Sequence, residues 1–296
     1  MKQAVKYTMA AAILLAGTGM ASAATKAVAK KPAASAGAVG ARIGGKPNLN
    51  GIWEVLSTAN YNLEPHSAED SRVATRQLGA IAATPGGLGV VEGDVIPYKP
   101  EALAKRDDNR ATAPYKDPEA ACYLPGIPRA TYMPHPFQIV QGEKGDLLFV
   151  YEYATANRVI YMKKVEIPPI ETWMGTSYGA WEGDTLKVVT LSLNPGDVKL
   201  PGGKLEAGVT WLDRSGNYIT NNATVTERFK PIDKDHINYE VTIEDPATFT
   251  KPWKMSMVLY RHIEKNAELM DFRCVPFSET FLYGDLLADK DKYPKK

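Results

Sequence analysis

The chain has 296 residues, a formal net charge of +1 and only two cysteines. Seven basic residues and no acidic ones precede position 47, so removing those seven cations from +1 leaves −6 for the body. Because phosphate binding needs a basic patch, this mildly acidic body excludes nucleic acid as the expected partner.

The first residues have the layout of an export signal. Lys2 and Lys6 precede an apolar stretch, Met9–Met20, and Ala21-Ser22-Ala23 forms an A-x-A cleavage site. The apolar stretch is shorter than the roughly 20 residues that span a bilayer, which disfavours the alternative of a membrane anchor. We predict a signal peptide over residues 1–23, a periplasmic or secreted location and no transmembrane segment.

Residues 24–46 are rich in Ala, Gly and Lys and contain no acid and no aromatic residue. Such a stretch buries too little apolar surface to offset its ordering entropy. We therefore predict a flexible linker over residues 24–46. No later composition break or repeat divides the chain, so a single β-rich domain is expected over residues 47–296.

Helix signals are few. Pro100–Arg106 has proline at the first helical position, followed by good helix formers. Residues Ala68–Ala83 and Phe277–Leu287 are further helix predictions. Between Pro114 and Pro136 the chain is proline-rich, which predicts an extended segment that wraps the body.

The second half of the chain alternates between apolar and polar residues, as antiparallel strands do. The predicted strands are Leu147–Tyr153, Arg158–Met162, Tyr178–Trp181, Thr185–Ser192, Ala223–Lys230, His236–Ile243, Lys254–His262 and Glu268–Val275. Turn residues separate them. The fold class predicted is mainly β: a single antiparallel β-barrel or sandwich, arranged as a lipocalin-like meander, with one to three short helices.

Cys122 and Cys274 lie far apart in the sequence. In an oxidising compartment such a pair is most simply a disulfide, and two free thiols are the alternative. Neither cysteine has a Cys or His neighbour at ligand spacing, so we expect no metal site. The chain also lacks Walker A, G-x-G-x-x-G, H-E-x-x-H and C-x-x-C motifs, and we expect no cofactor.

Several long segments carry a family resemblance: TWMGTSYGAWEGDTL at residues 172–186, CYLPGIPR at 122–129 and YEVTIEDPATFTKPW at 239–253. They resemble a family of exported bacterial proteins of unknown function, across nearly the whole body from Leu49 onward. In that family a His or Asp often stands at the position of Thr176, and a His-Ser pair near Asn221. The resemblance implies membership and no particular activity.

Two motifs suggest chemistry. Residues 175–179, GTSYG, match the G-x-S-x-G nucleophile elbow, but their flanks do not fit a strand that leads into a helix, so a turn is favoured over a nucleophilic Ser177. His135 lies between two prolines, with Arg129 and Tyr132 nearby in sequence. Its imidazole is a candidate acid or base; a structural histidine is the alternative.

Charged and aromatic residues on the predicted strands define the other candidates. Glu152 and Glu240 are either buried carboxylates facing a ligand or, as we favour, solvent-facing strand residues. Trp and Tyr suit a pocket for apolar or aromatic molecules. The predicted pocket residues are Arg129, Tyr132, His135, Tyr151, Arg158, Trp173, Trp181 and Trp211.

These observations favour a binding protein for a small, largely apolar or aromatic ligand, whose polar end is fixed by Arg129, His135 or Arg158. The alternative is a cofactor-free isomerase, lyase or hydrolase that uses His135 or a buried carboxylate as its base. An envelope interaction protein without a pocket is a third hypothesis. The sequence carries no signal for oligomeric state.

Overall fold

The computed structural model describes residues 40–71, 83–163, 166, 170–199, 205–278, 282 and 286. The predicted signal peptide, residues 24–39 of the predicted linker and most of the predicted helices Ala68–Ala83 and Phe277–Leu287 lie outside these residues. The export signal therefore stays a prediction.

Nine strands form a closed barrel. Its members, in order around the barrel, are β13 (Thr224–Pro231), β14 (His236–Glu244), β15 (Trp253–Arg261), β3 (Gly51–Val55), β4 (Phe137–Val140), β5 (Leu147–Tyr151), β6 (Asn157–Tyr161), β7 (Thr176–Glu182) and β8 (Thr185–Leu191), which pairs with β13 again. The predicted mainly β barrel is confirmed. All pairs are antiparallel except β6–β7, because directions cannot alternate around an odd number of strands.

Outside the barrel, the described part of the chain contains six short strands, which form three antiparallel hairpins. They are β1 (Arg42–Ile43) with β2 (Lys46–Pro47), β9 (Asp197–Lys199) with β10 (Leu205–Ala207), and β11 (Thr210–Trp211) with β12 (Tyr218–Ile219). The α-helices whose two ends both lie in the described residues are α1 (Pro100–Lys116) and α2 (Arg129–Tyr132). The helix predicted at Pro100 is confirmed and continues ten residues beyond Arg106.

Aromatic side chains fill the barrel interior. Phe137, Phe149, Phe229 and Tyr239 are fully buried on four different strands. Their ring centroids follow one another at 5.9, 5.4 and 4.9 Å, so the contacts cross the barrel from β4 to β14. This core is the expected result of the period-2 pattern, in which alternate residues of every strand point inward.

The β1–β2 hairpin covers one end of the barrel. Arg42 donates to the carboxylate of Asp184 in the β7–β8 turn at 2.6 Å, and Leu49 is buried. The prediction of a flexible linker up to residue 46 is therefore wrong for residues 40–46, because strand pairing and an ion pair fix this stretch to the barrel.

The proline-rich segment closes the opposite end. It contains α2, and Ile127, Ala130 and Met133 are buried among the barrel's own core residues. The predicted extended wrap is wrong, because the apolar residues between the prolines drive this stretch into the barrel mouth.

The chain after β15 differs from its prediction. Residues 268–275, predicted as a strand, are irregular and mostly exposed. The physical reason is closure: β15 already pairs with β14 on one side and β3 on the other, so no edge is left for a further strand. Cys274 in this stretch forms the predicted disulfide with Cys122, with 5.7 Å between the Cα atoms. Within the described part of the chain, no helix is long and apolar enough to cross a membrane.

Candidate functional site

The residues predicted to line one pocket lie at several separate places. Tyr151, Arg158 and Ser177 point into the barrel, whereas Arg129 and Tyr132 lie in α2 at its mouth. The others lie apart from both sets. The single pocket expected from sequence is therefore divided, and each part has its own chemistry.

Arg158 is the centre of the polar network inside the barrel. Its Nε donates to Ser177 Oγ at 2.8 Å, and Nη2 donates to Thr190 Oγ1 at 2.6 Å. Both terminal nitrogens also donate to the carboxylate of Glu227, which is fully buried. Tyr239 donates its hydroxyl to Glu227 Oε1 at 2.7 Å.

Charge pairing stabilises the charged form of the Arg158 guanidinium. Burial alone lowers the pKa of the Arg158 guanidinium, but the carboxylate of Glu227 outweighs it and raises that pKa. Burial raises the pKa of the neighbouring Tyr151 and Tyr239 hydroxyls. Because the Arg158 guanidinium and Glu227 carboxylate neutralise each other and are hydrogen-bonded throughout, the cluster is structural and has no free charge to offer a ligand.

Ser177 is consequently a strand residue within this network. It lies inside β7, where its hydroxyl accepts from Arg158 and contacts Thr190 Oγ1 at 2.9 Å. The nucleophile elbow is thus absent at this serine, and the turn that we favoured there is also wrong. The glycines of the motif have packing reasons: a Cβ on Gly179 would lie 2.7 Å from the Ile160 side chain.

A second ionic cluster lies at the barrel mouth. Arg129 makes two parallel hydrogen bonds to Asp117, at 2.7 and 2.9 Å, and one to Glu119 at 2.7 Å. Asn60 accepts from its Nε at 2.8 Å. Arg214 pairs with the other oxygen of Glu119 at 2.6 Å. Since these partners saturate Arg129, it does not present a free cation for a ligand's polar end.

The pKa values at the mouth reflect these contacts. Burial alone raises the pKa of Glu119, but Arg129 and Arg214 lower it to about 2. Among the described residues, nearby Asp213 has no such cation partner at hydrogen-bond distance, and burial raises its pKa to about 6 despite hydrogen bonds from Asn217 and Leu63. Tyr132 donates its hydroxyl to the Leu212 carbonyl at 2.8 Å, which fixes α2 to this region.

His135 and Glu152, with side chains 29% and 12% exposed, form a pair on the same side of the barrel. The solvent-facing strand position that we favoured for Glu152 is wrong, because β5 ends at Tyr151 and the carboxylate is held between His135 and Met270. His135 Nδ1 lies 3.3 Å from Glu152 Oε1, and the backbone N–H of Met270 donates to Glu152 Oε2 at 2.9 Å. The imidazole also packs edge-on against Phe272, with 5.0 Å between ring centroids. Of the predicted acid–base candidates, these two are the ones that contact each other.

The remaining candidates lie elsewhere. Glu240 faces outward from β14 and sits 3.8 Å from Lys254, as the solvent-facing interpretation expected. Trp173 stacks on Tyr123, and Trp181 lies under Lys46 near the opposite barrel end. Trp211 is buried in β11. These tryptophans lie apart from Arg158, because Trp173 and Trp211 lie outside the nine barrel strands and Trp181 lies near the far end of β7.

A cleft opens at the seam between β6 and β7. This parallel pair has two residue pairs in register, compared with seven for β7–β8, so the strands diverge toward the start of β7. The resulting seam cleft has a volume of about 430 Å³. It is lined by Asn157, Arg158, Val159, Tyr161, Glu166, Met174, Gly175, Thr176 and Ser177.

Gly175 shapes this cleft. Its φ is +63°, and a Cβ there would lie 2.5 Å from the Leu191 carbonyl oxygen, so glycine alone fits without strain. The bend at Gly175 changes the direction of the chain between Met174 and the start of β7, so that Met174 does not continue the pairing with β6. Of the predicted site residues, Arg158 and Ser177 line the cleft. Their polar groups are already hydrogen-bonded within the network inside the barrel.

Comparison with protein-family models, with curated proteins and with solved structures finds no match to this chain. The family resemblance of the sequence segments therefore stays a prediction.

Sequence reasoning missed Glu227 as a central residue. Its signal was present, because Val225 and Phe229 flank it at two-residue spacing and both point inward. Asp117, Glu119 and Asn60 gave no comparable signal, because they lie outside the strands, where no two-residue alternation marks a side chain as pointing inward.

Proposed function

We propose that this chain is an exported binding protein that holds a small, largely apolar or aromatic ligand in the seam cleft. The observation that carries the proposal is the cleft itself, at the one parallel strand pair of the barrel. Its volume falls within the range of about 300–1,000 Å³ typical of small-molecule sites.

The lining supports an apolar ligand with one polar group. Val159, Tyr161 and Met174 offer aliphatic, aromatic and thioether surface, and Asn157 and Thr176 offer hydrogen-bonding groups at the rim. Thioether and aromatic surfaces adapt to apolar guests of different shape. The ligand's polar end is assigned to Asn157 and Thr176 in place of Arg158, because Glu227 already neutralises that guanidinium.

The filled barrel is the reason for placing the ligand outside the core. Aromatic residues such as Phe149 and Phe229 occupy the centre where a lipocalin-like ligand would lie. The proposal therefore keeps the ligand class expected from sequence and changes its location.

A matched pair of variants tests the location. Val159 lines the seam cleft and is 40% exposed, whereas Val140 is 43% exposed on the same outer row of the sheet, two strands away through Leu148. We expect Val159→Lys to abolish binding of a fluorescent naphthalene probe and Val140→Lys to leave the probe's Kd unchanged. If both variants lose probe binding equally, the probe binds the apolar outer face in general. If both retain the wild-type Kd, the probe does not bind in the seam cleft.

The His135–Glu152 contact favours a second candidate function, an acid–base enzyme without a cofactor. Glu152 orients Nδ1 of the imidazole and leaves Nε2 to exchange a proton with a substrate. A panel of activated esters and enolisable ketones tests it with the wild type and His135→Gln. Turnover that depends on His135 supports this candidate, and turnover equal in both proteins, or none in either, contradicts it.

A further inference from the structure

Residues 263–276, called the strap here, follow β15 without helix or strand structure. Most of the strap is exposed, including the apolar side chains of Ile263 and Met270, at 73% and 74%. A segment with so little buried surface gains little free energy from its own packing. What fixes its course must therefore be a few specific contacts.

The first contacts lie over the His135–Glu152 pair. The Met270 N–H donates a hydrogen bond to Glu152 Oε2, the oxygen that His135 does not contact. The Phe272 ring then covers His135 edge-on and lies 4.8 Å from the Tyr153 ring. Both members of the pair are thus covered by the strap from the same side.

The second attachment is covalent. Cys274, exposed and two residues beyond Phe272, is joined to Cys122. Immediately after the strap, the Phe277 N–H donates to the Ala120 carbonyl at 2.8 Å, and its buried ring packs beside Ala120. The strap is therefore held at β15, at the disulfide and at Phe277.

We propose that the strap is a disulfide-latched lid over His135 and Glu152, which a dithiol reductant opens. This inference goes beyond ligand binding in the seam cleft and does not depend on it. A thiolate of the reductant attacks the sulfur of Cys274, an exposed residue, and Cys122 leaves as a thiolate. The second thiol of the reductant then attacks the reductant sulfur of this mixed disulfide and releases Cys274 as a thiolate. The S–S bond is broken, the protein gains two thiols, and the dithiol is oxidised to its own disulfide.

Opening is local because the barrel does not use the strap. Nine strands close without it, so its release leaves the pairing of β15 with β14 and β3 intact. Once the disulfide is reduced, the strap keeps its attachments at β15 and Phe277. Between them, the hydrogen bond to Glu152 and the packing of Phe272 hold it over the pair, and these open on their own at a small free-energy cost.

The test follows the full-length protein with and without dithiothreitol, by hydrogen exchange and by diethyl pyrocarbonate labelling read by mass spectrometry. We expect reduction to raise exchange in the strap and to speed labelling of His135 by about tenfold. Exchange in β14 should stay far slower than in the strap, and labelling of His236, in the turn region at the opposite barrel end, should stay unchanged. Phe272→Ala should speed His135 labelling in the oxidised protein, which separates shielding by the ring from reduction itself.

Two results overturn the proposal. If the strap exchanges faster on reduction but His135 labels at its former rate in both the reduced protein and Phe272→Ala, the strap does not cover the pair. If β14 exchanges as fast as the strap after reduction, the disulfide holds the whole fold together and is no latch.

Discussion

Removing the charge of Glu227 should destabilise the barrel far more than removing an outward-facing charge on the neighbouring strand. Glu227→Gln keeps the size of the side chain but leaves the Arg158 guanidinium, 3% exposed, without its counter-ion. Breaking one side of a buried ion pair costs about 3–5 kcal/mol, because the desolvated partner stays behind uncompensated.

Glu240→Gln is the matched control. It makes the same chemical change on β14 at a residue opposite Arg228, one third exposed and 3.8 Å from Lys254. Exposed pairs contribute about 0–1 kcal/mol, so its midpoint of urea unfolding should barely move. With a slope of about 3 kcal/mol/M, the loss in Glu227→Gln should lower the midpoint by roughly 1–1.7 M at an unchanged slope.

A double substitution separates charge from packing. Arg158→Met with Glu227→Leu removes both charges, and apolar replacement of a buried pair is commonly neutral or stabilising. We therefore expect the double variant to recover most of the stability that either single change loses. Equal midpoints for Glu227→Gln and Glu240→Gln, or a double variant as unstable as the single one, would refute this reading of the interior.

Three further changes have expected outcomes. Two neighbouring arginines overcome the effect of burial and lower the pKa of Glu119 to about 2. The stability that the Glu119 carboxylate contributes is therefore present above about pH 4.5 and lost toward pH 2. Glu119→Gln should remove about 3 kcal/mol at pH 7 and less at pH 3, measured by urea unfolding at each pH. Joint replacement of Cys122 and Cys274 by Ser should lower the free energy of unfolding by about 5 kcal/mol, since the bond closes a loop of sequence separation 152; an unchanged midpoint would contradict this. Gly175→Ala should lower the Tm more than Gly183→Ala, because both have φ near +63° but only Gly175 would also clash with a carbonyl of β8; equal shifts would show that the contact is immaterial.

The strands of the second half were predictable because their local signals agree. Alternation places Tyr239 and Val241 on one face and Glu240 and Thr242 on the other, and the structure has them inside and outside the barrel respectively. The turn at 233–235 marks the boundary before His236 in the same way. Local pattern and turn chemistry were sufficient here.

The candidate site was less predictable because it depends on which strands become neighbours. Arg158 and Glu227 are 69 residues apart, and their contact follows from barrel closure through β7 and β8. The parallel pairing of β6 with β7 likewise follows from the odd strand number. Neither feature has a local signal, so the residue types were predicted and their grouping was not.

The most direct test of ligand binding in the seam cleft is native mass spectrometry of the protein purified from its own cells. The wild type and Val159→Lys are measured side by side, followed by denaturation to identify any small molecule released. The account predicts a retained apolar or aromatic compound on the wild type and its absence from Val159→Lys. Bare protein in both samples, or the same compound retained by Val159→Lys, would contradict it.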